Sequence, residues 1–153
     1  MHDIRTFIVK PGTPELAACA RWRADAFSVL DADFERELAS LEAFAADPAL
    51  GVALIARRNG VAAGTCLLVE SEIEPNHDVS PWLAGLFVAP EHRKAGVGRV
   101  LVRAIEDEAR LRGFARLFLY TTAAAGFYEQ LGWELVERTT WRGFDTAFMA
   151  RGL

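Results

Sequence analysis

Two glycines stand one residue apart inside a basic stretch of the chain, and their spacing suits an anion site. Segment 88–99 follows an apolar run and contains Arg93, Lys94, Gly96 and Gly98. Its last residues begin an amphipathic helical pattern. Glycine lets a ligand approach the backbone closely, and the first turn of a helix presents free N–H groups at the positive end of its dipole. The pattern therefore predicts a loop that binds a phosphate or, better, a diphosphate.

The spacing of this loop excludes two common nucleotide-binding motifs. A dinucleotide fingerprint requires Gly-x-Gly-x-x-Gly, but Leu101 stands where the third glycine belongs. The next strand ends in Leu119-Tyr120-Thr121 rather than in an acid that would bind a ribose. The Gly-x4-Gly-Lys-Ser/Thr phosphate loop is absent from the sequence. Neither motif therefore explains the glycines.

A second segment, TTAAAGFYEQLGW at 121–133, follows the helical pattern. Together the two segments resemble the GNAT superfamily of acetyl-CoA-dependent N-acetyltransferases. In that superfamily an Arg/Gln-x-x-Gly-x-Gly/Ala loop precedes a Phe-Tyr-Glu-x-Leu-Gly-Phe/Trp segment. The close resemblance spans residues 80–134, and the order of the predicted elements extends it over nearly the whole chain.

The resemblance implies a site for acetyl-CoA as cosubstrate, without a metal. The CoA diphosphate would lie against the loop residues Arg93, Lys94, Ala95, Gly96, Val97, Gly98 and Arg99. The pantetheine arm would pair with the main chain of Phe87 and Val88. Many members carry an asparagine near Thr122, and Thr122 would take its place here. The N–H of Val88 would donate to the thioester carbonyl, and Tyr128 would protonate the departing thiolate as general acid.

The resemblance leaves the general base open. Trp82 occupies the position of a glutamate that serves as base in histone-acetyltransferase-like members, and an indole cannot accept the proton. Four upstream residues are candidates for the base, namely Asp78, His77, Glu72 and Glu70. Asp78 is placed first because it lies close to the acceptor end of the strand. Histidine is the side chain that titrates nearest to neutral pH.

Hydrophobic periodicity predicts the elements that position these residues. The predicted order is β-α-α-β-β-β-α-β-α-β-β, an α+β fold with about seven strands in a mixed, mainly antiparallel sheet and about four helices. The predicted strands are 3–10, 51–58, 61–69, 80–88, 115–121, 133–140 and 144–150, and the predicted helices are 13–28, 33–46, 97–111 and 123–131. Asn59-Gly60 predicts a two-residue hairpin turn.

Cap and surface positions follow from the same pattern. Thr13 is the predicted N-cap of the first helix, and Asp31 or Asp33 that of the second. Glu37 and Glu106 fall on the outer faces of their predicted helices, so both are expected to face solvent.

The length of the chain indicates one domain over residues 1–153, and its net charge is −4. Residues 1–80 carry 7 basic and 13 acidic side chains, and residues 81–153 carry 10 and 8, so no large basic face for nucleic acid is expected. The N-terminus has no signal-like segment, and no apolar run reaches the roughly 18 residues that suggest a membrane span. Cys19 and Cys66 lie in apolar settings without metal-ligand spacing, which predicts reduced core cysteines of a cytoplasmic protein.

The predicted function is direct transfer of the acetyl group of acetyl-CoA to a primary amine of a small molecule or peptide. The acceptor is expected between the first two helices, the strand at Trp82 and the closing hairpin. Acidic residues there would favour a cationic amine: Asp31, Asp33, Glu35 and Glu37. Aromatic residues would form its floor: Trp22, Phe27, Phe34 and Trp141. The alternative is a non-catalytic CoA-binding or regulatory module with the same fold, and the choice between monomer and homodimer stays open.

Overall fold

The computed structural model describes residues 3–27, 33–49, 51–72 and 75–153. Within these ranges the chain forms seven strands, four α-helices and a 3-10 turn at Pro90–His92 in the predicted order. The strands are β1 (Ile4–Ile8), β2 (Gly51–Arg58), β3 (Val61–Val69), β4 (Trp82–Val88), β5 (Arg116–Thr121), β6 (Glu134–Trp141) and β7 (Phe144–Gly152). The helices are α1 (Leu16–Ala26), α2 (Phe34–Ala46), α3 (Val97–Leu111) and α4 (Ala125–Gln130). The predicted fold class is confirmed.

All seven strands join one sheet in the order β1-β2-β3-β4-β5-β7-β6. Every neighbouring pair is antiparallel except β4 and β5, which run parallel in the middle of the sheet. The connection between these two strands contains α3, as a parallel crossover requires. The glycine loop therefore lies between a central strand and a long helix.

The sheet separates two apolar layers, because successive strand residues face opposite sides. On β2, Val52 and Leu54 pack with α3 residues such as Ile105, whereas Ile55 packs with α1 and α2 through residues such as Leu41. The hairpin turn between β2 and β3 has positive φ at both central positions, 54° at Asn59 and 83° at Gly60, as its sequence predicts.

The predicted start of α1 is wrong by two residues, because the N-cap position is occupied by Glu15 and not by Thr13. Thr13 does not cap the helix, because its hydroxyl accepts from the Lys10 N–H at 3.0 Å and donates to the Lys10 carbonyl at 2.7 Å. This local turn uses the side chain before the helix begins at Leu16. Asp33 does cap α2, since its carboxylate accepts from the Arg36 N–H at 2.9 Å, and Asp31 lies outside the described residues.

The prediction that Glu106 faces solvent is also wrong. Its side chain is buried and accepts from the indole N–H of Trp133 at 3.0 Å and from Arg103 at 2.9 Å. On the same helix the apolar side chain of Leu111 is 83% exposed, the reverse of what its residue type suggests. Helical periodicity places a side chain on a face, but the Trp133 donor on a distant segment decides that this acid is buried.

Both cysteines are free and buried, as predicted, and burial raises the pKa of the Cys19 and Cys66 thiols to about 12. Among the described residues, no helix combines the length and apolar character needed to cross a membrane. The same residues contain no group of three or more histidine, cysteine or acidic side chains arranged to hold a metal ion.

Candidate active site

The sheet opens between its two parallel strands. The register of β4 with β5 contains a single pair, Trp82 with Phe118, next to a hydrogen bond of 3.1 Å from the Phe118 N–H to the Pro81 carbonyl. Beyond this point the edge of β4 that faces β5, over residues 84–88, has no strand partner in the described chain. Unpaired main-chain groups at the centre of a sheet are an available template for an extended ligand.

A bulge in β4 shapes this opening. Thr65 pairs with Phe87 but Leu67 pairs with Ala84, so β4 carries one more residue than β3 between these pairs. Gly85 lies in the bulge with φ at 60°, and a Cβ built there would fall 1.9 Å from the Arg23 guanidinium. The position therefore requires glycine for both its backbone angle and its close contact with α1.

Arg23 of α1 connects the bulge in β4 to α2 through two hydrogen bonds. Its Nη1 donates to the Gly85 carbonyl at 3.1 Å, and its Nε donates to Glu37 at 2.9 Å, with the two side chains only 10% and 15% exposed. Glu37 therefore does not face solvent as the sequence pattern predicted. A buried cation needs such a partner, because desolvation of an unpaired charge is costly.

The backbone of Val88 faces the opening. The Ala89 N–H donates to the Ala63 carbonyl on β3 at 2.8 Å. Because main-chain N–H groups alternate along a strand, the N–H of Val88 points to the other side, towards β5. The Val88 carbonyl accepts from Arg93 Nε at 3.0 Å on that side. This edge of β4 therefore offers a donor and an acceptor close together.

The glycine loop leads from this edge into α3. Gly96 precedes the helix with φ at 92°, and no side chain caps the N-terminus. The first helical hydrogen bond runs from the Val100 N–H to the Gly96 carbonyl at 3.1 Å, so the N–H groups of residues 97–99 have no intrahelical acceptor. Arg93 and Lys94 are exposed beside them. Donors, dipole and basic side chains together fit an anion with several oxygens.

Gly98, the second glycine of the loop, packs closely against α4. A Cβ there would lie 3.3 Å from Cζ of Phe127, in the segment that carries Tyr128. The two motifs predicted from sequence thus come into contact in the structure, and the loop, the opening of the sheet and α4 form one continuous region.

Tyr128 lies on α4 at the edge of the opening and is 6% exposed. Its ring packs edge-on against Phe127 and Trp133, with centroid distances of 5.1 and 5.9 Å. Burial, with a smaller contribution from Cys66, raises the pKa of the Tyr128 hydroxyl above its ordinary value. The phenol therefore keeps its proton at neutral pH and is available as a donor.

Two cavities of about 350 Å³ adjoin the opening and share part of their walls. The first lies against α1 and α2, with walls that include Arg23, Glu37, Phe44 and Val69. The second lies against α4, with walls that include Leu86, Thr122 and Tyr128. Both cavities are lined by Phe27, Glu72, Ala84, Gly85, Tyr120 and Trp141. A ligand at the unpaired edge of β4 would thus have a second, adjoining chamber beside it.

Only some of the residues predicted to line the acceptor site lie in the wall of the first cavity. Phe27 and Trp141 line the first cavity, but Trp22 packs on Phe87 at 5.8 Å and Phe34 lies under Arg21 at 4.1 Å. Glu37 lines the cavity as the partner of Arg23, whereas neither Asp33 nor Glu35 is part of its wall. Trp82 is fully buried, with its indole N–H bonded to the Val79 carbonyl at 2.9 Å. It is therefore a core residue.

The four candidate bases occupy different environments. Asp78 and Glu70 are exposed and line neither cavity, whereas Glu72 lines both. His77 is half-buried against Tyr120 at the cavity wall. The residues that sequence reasoning missed are Tyr120 and Arg23, although each carries a signal. Arg23 falls on the buried stripe of α1, and Tyr120 stands at the carboxyl end of a central strand.

The sequence model of the Acetyltransferase (GNAT) family matches residues 16–133. The chain belongs to the GNAT acetyltransferase family. A curated relative, "Probable N-acetyltransferase 14" of Xenopus tropicalis, is 31% identical over 77 residues, which are 47% of this chain and 37% of the relative. The match therefore spans well under half of that relative's length.

Solved GNAT structures share the whole fold. A candidate acetyltransferase, yncA from Salmonella typhimurium with its cofactor acetyl-CoA, has 22% identity and a TM-score of 0.75 over 98% of this chain and 94% of its own. An aminoglycoside 6'-N-acetyltransferase complexed with coenzyme A has 18% identity and a TM-score of 0.75 over 98% and 96%. Ribosomal-protein-alanine N-acetyltransferase from Brucella melitensis has 22% identity and a TM-score of 0.73 over 96% and 99%. At these identities the likeness shows the fold alone.

Replacing Gly85 with alanine tests the bulge and its arginine clamp. Gly143 is a matched control, because its φ is also positive, at 84°, and nothing lies within 4 Å of a Cβ built there. Each alanine costs about 1–2 kcal/mol for the left-handed backbone. Gly85→Ala also displaces Arg23 from its partners, so urea unfolding should show a further loss of about 1.5–3 kcal/mol. Equal losses in the two variants would contradict the clamp.

Proposed function

We propose that this protein is an acetyl-CoA-dependent N-acetyltransferase that transfers the acetyl group directly to a primary amine of a small molecule or peptide. The observation that carries the proposal is the unpaired edge of β4. The N–H of Val88 points into this opening, which is flanked by the glycine loop that leads into α3 and by α4 with the buried Tyr128. Family membership and the CoA complexes among the structural neighbours support acetyl-CoA as the cosubstrate.

Acetyl-CoA would bind along the opening as an added strand. Its pantetheine amides would pair with the main chain of Val88, with Thr122 on the opposite wall. Phe87 was also predicted to pair with them, but it lies opposite Thr65 and its main-chain groups point towards β3. Its diphosphate would meet the N-terminal turn of α3 and the loop before it, through Arg93, Lys94, Ala95, Gly96, Val97, Gly98 and Arg99. The Arg93 side chain would leave the Val88 carbonyl and turn towards the phosphates. The exposed, uncapped N-terminus of α3 fits this role.

Acetyl transfer then needs a donor on each side of the thioester. The amine nitrogen attacks the carbonyl carbon, the C–N bond forms, and negative charge builds on the carbonyl oxygen, where the Val88 N–H stabilises it. The C–S bond then breaks, the nitrogen of the former amine loses its second proton to solvent and becomes a neutral amide, and the Tyr128 hydroxyl donates its proton to the departing thiolate and regains one from solvent. Because its pKa is raised, Tyr128 is protonated whenever the thiolate leaves. No covalent enzyme intermediate is needed.

The acceptor would occupy the first cavity and reach the acetyl group through the shared wall at Tyr120. The attacking amine must be neutral, so the ammonium form has to lose a proton before attack. Asp78 is the base predicted from sequence, and its exposed position would require water to carry the proton. We further propose that the chain forms a single domain and acts in the cytoplasm. Its acceptor would be a small amine or a peptide amine, and it would act as a monomer or a homodimer.

Release of free thiol from acetyl-CoA in the presence of amines tests the proposal. The panel would contain spermidine, tyramine, lysine, an aminoglycoside and a peptide with N-terminal alanine. An N-acetyltransferase releases thiol with at least one amine and yields the N-acetyl product by mass spectrometry. CoA binding without release for any amine would favour the alternative, a non-catalytic CoA-binding module.

Tyr128→Phe removes the proposed acid while keeping the ring in place. We expect kcat to fall by about 10²-fold, at the low end for an acid–base group. The Kd for CoA, measured by calorimetry, should stay the same, because in the proposed complex the Tyr128 hydroxyl contacts only the sulfur atom of CoA. An unchanged kcat would remove Tyr128 from the mechanism.

Gly96→Glu tests the diphosphate loop. The variant places a carboxylate beside the proposed phosphates, so CoA binding should be lost. Gly113→Glu is its matched control at the other end of α3, since its φ is 87° and nothing lies within 4 Å of a Cβ built there. The control carries the same strain and charge but should bind CoA normally. Retained affinity in Gly96→Glu, or equal loss in both variants, would refute the assignment of the loop.

A further inference from the structure

A hydrogen-bonded chain leads from the cavity wall to the surface. The Tyr120 hydroxyl lies 2.8 Å from Nδ1 of His77, and Nε2 of His77 lies 3.2 Å from the Glu137 carboxylate. Tyr120 lines both cavities, whereas the side chains of His77 and Glu137 are 16% and 53% exposed. The chain thus connects the place where an amine would lie with bulk solvent.

The partners fix the direction of each hydrogen bond. A carboxylate only accepts, so Glu137 holds the proton of His77 on Nε2, and Nδ1 is left with its lone pair towards Tyr120. The main-chain N–H of Asn76 donates to the Tyr120 oxygen at 2.9 Å. The Tyr120 hydroxyl therefore donates to Nδ1 and keeps one lone pair for a ligand.

Packing holds this chain in place. The His77 ring stacks on Phe148 with a centroid distance of 3.8 Å and an angle of 15°. The Tyr120 ring lies 4.7 Å from that of Trp82 and 5.6 Å from that of Trp141. A histidine in a solvated loop would have no such constraints. The segment before β4 is thus fixed where its imidazole meets the phenol.

We propose that Tyr120, His77 and Glu137 form a proton relay that deprotonates the acceptor ammonium. The inference rests on the proposed acetyl transfer. The ammonium gives a proton to the Tyr120 oxygen as the Tyr120 hydroxyl gives its own proton to Nδ1 of His77. The amine becomes neutral, tyrosine stays a phenol, and His77 becomes an imidazolium beside the Glu137 carboxylate. The imidazolium then loses its proton to solvent, so the atoms and charges balance.

Charge and burial suit the two tyrosines to different tasks. Burial raises the pKa of the Tyr120 hydroxyl, and the charges of Glu72 and Glu137 add to the effect. Tyr120 therefore passes protons on as a neutral phenol and does not act as a phenolate base. The same two carboxylates face the relay, while β7 contributes the uncharged ring of Phe148. On β5, Tyr120 shares the face of Phe118, whereas Tyr128 packs with Leu119 on the other face.

Three variants test the relay. Each is assayed as the full chain for kcat with acetyl-CoA and with the amine that the wild type acetylates fastest. Tyr120→Phe should lower kcat about 10²-fold at pH 7 while the Kd for CoA stays unchanged. His77→Gly should lower kcat by a similar factor, and adding free imidazole should restore the activity. Glu137→Gln should show a smaller loss, whereas Glu134→Gln, an exposed acid on the same strand, should match the wild type.

The basicity of the acceptor separates a relay from a structural role. A β,β-difluoro analogue of the same amine has a much less basic nitrogen, so at pH 8.5 it is largely neutral and needs no base, whereas the parent amine is still largely an ammonium ion. Both amines are therefore compared at pH 8.5. The loss in Tyr120→Phe should therefore shrink to within about threefold of the wild type with this analogue. An equal loss with both amines, no loss in Tyr120→Phe and His77→Gly, or a loss confined to Asp78→Asn or Glu72→Gln would overturn the relay while acetyl transfer stands. A wild-type protein that acetylates no amine would withdraw both proposals.

Discussion

The site depends on one incomplete strand pairing. β4 and β5 run parallel in the middle of the sheet, yet they share a single registered pair at Trp82 and Phe118. Main-chain groups at the centre of a sheet are normally satisfied by the neighbouring strand, and leaving them unpaired costs free energy unless water or a ligand replaces the partner. The bulge at Gly85 and its bond to Arg23 help to hold β4 in this shape. The opening is therefore built into the fold.

In the proposed function, the opening also lets two layers of the protein act on one ligand. α3 and α4 lie on one face of the sheet, next to the glycine loop and with Tyr128 on α4, whereas α1 and α2 lie on the other face and form walls of the first cavity. Tyr120 reaches the opening from the second side. In the proposed reaction the amine loses a proton on one side and the thiolate gains one on the other, so separate proton paths avoid conflict between the two steps.

Local signals in the sequence predicted much of this arrangement. Asn59-Gly60 predicted the hairpin, the apolar run before Ala89 predicted a central strand, and Gly96 predicted the N-terminus of α3. These features depend on backbone angles and on periodicity, which a sequence displays directly. The positions of the motif residues in the strand, loop and helix followed from the same signals.

Charged side chains were harder to predict, because their burial depends on partners far away in the sequence. Glu106 is buried by the indole of Trp133, and Glu37 by the guanidinium of Arg23. His77 was one of four candidate bases, and only its contacts with Tyr120 and Glu137 distinguish it. Residue type and helical face carry no information about such pairings.

The central claim is that acetyl-CoA binds along the unpaired edge of β4. A nitrogen–proton correlation spectrum of the protein titrated with CoA tests it most directly. The largest shifts are expected at the amides of Val88 and Gly98, with little change at those of β2. Saturable shifts that leave Val88 and Gly98 unmoved, or no shifts at all, would contradict it.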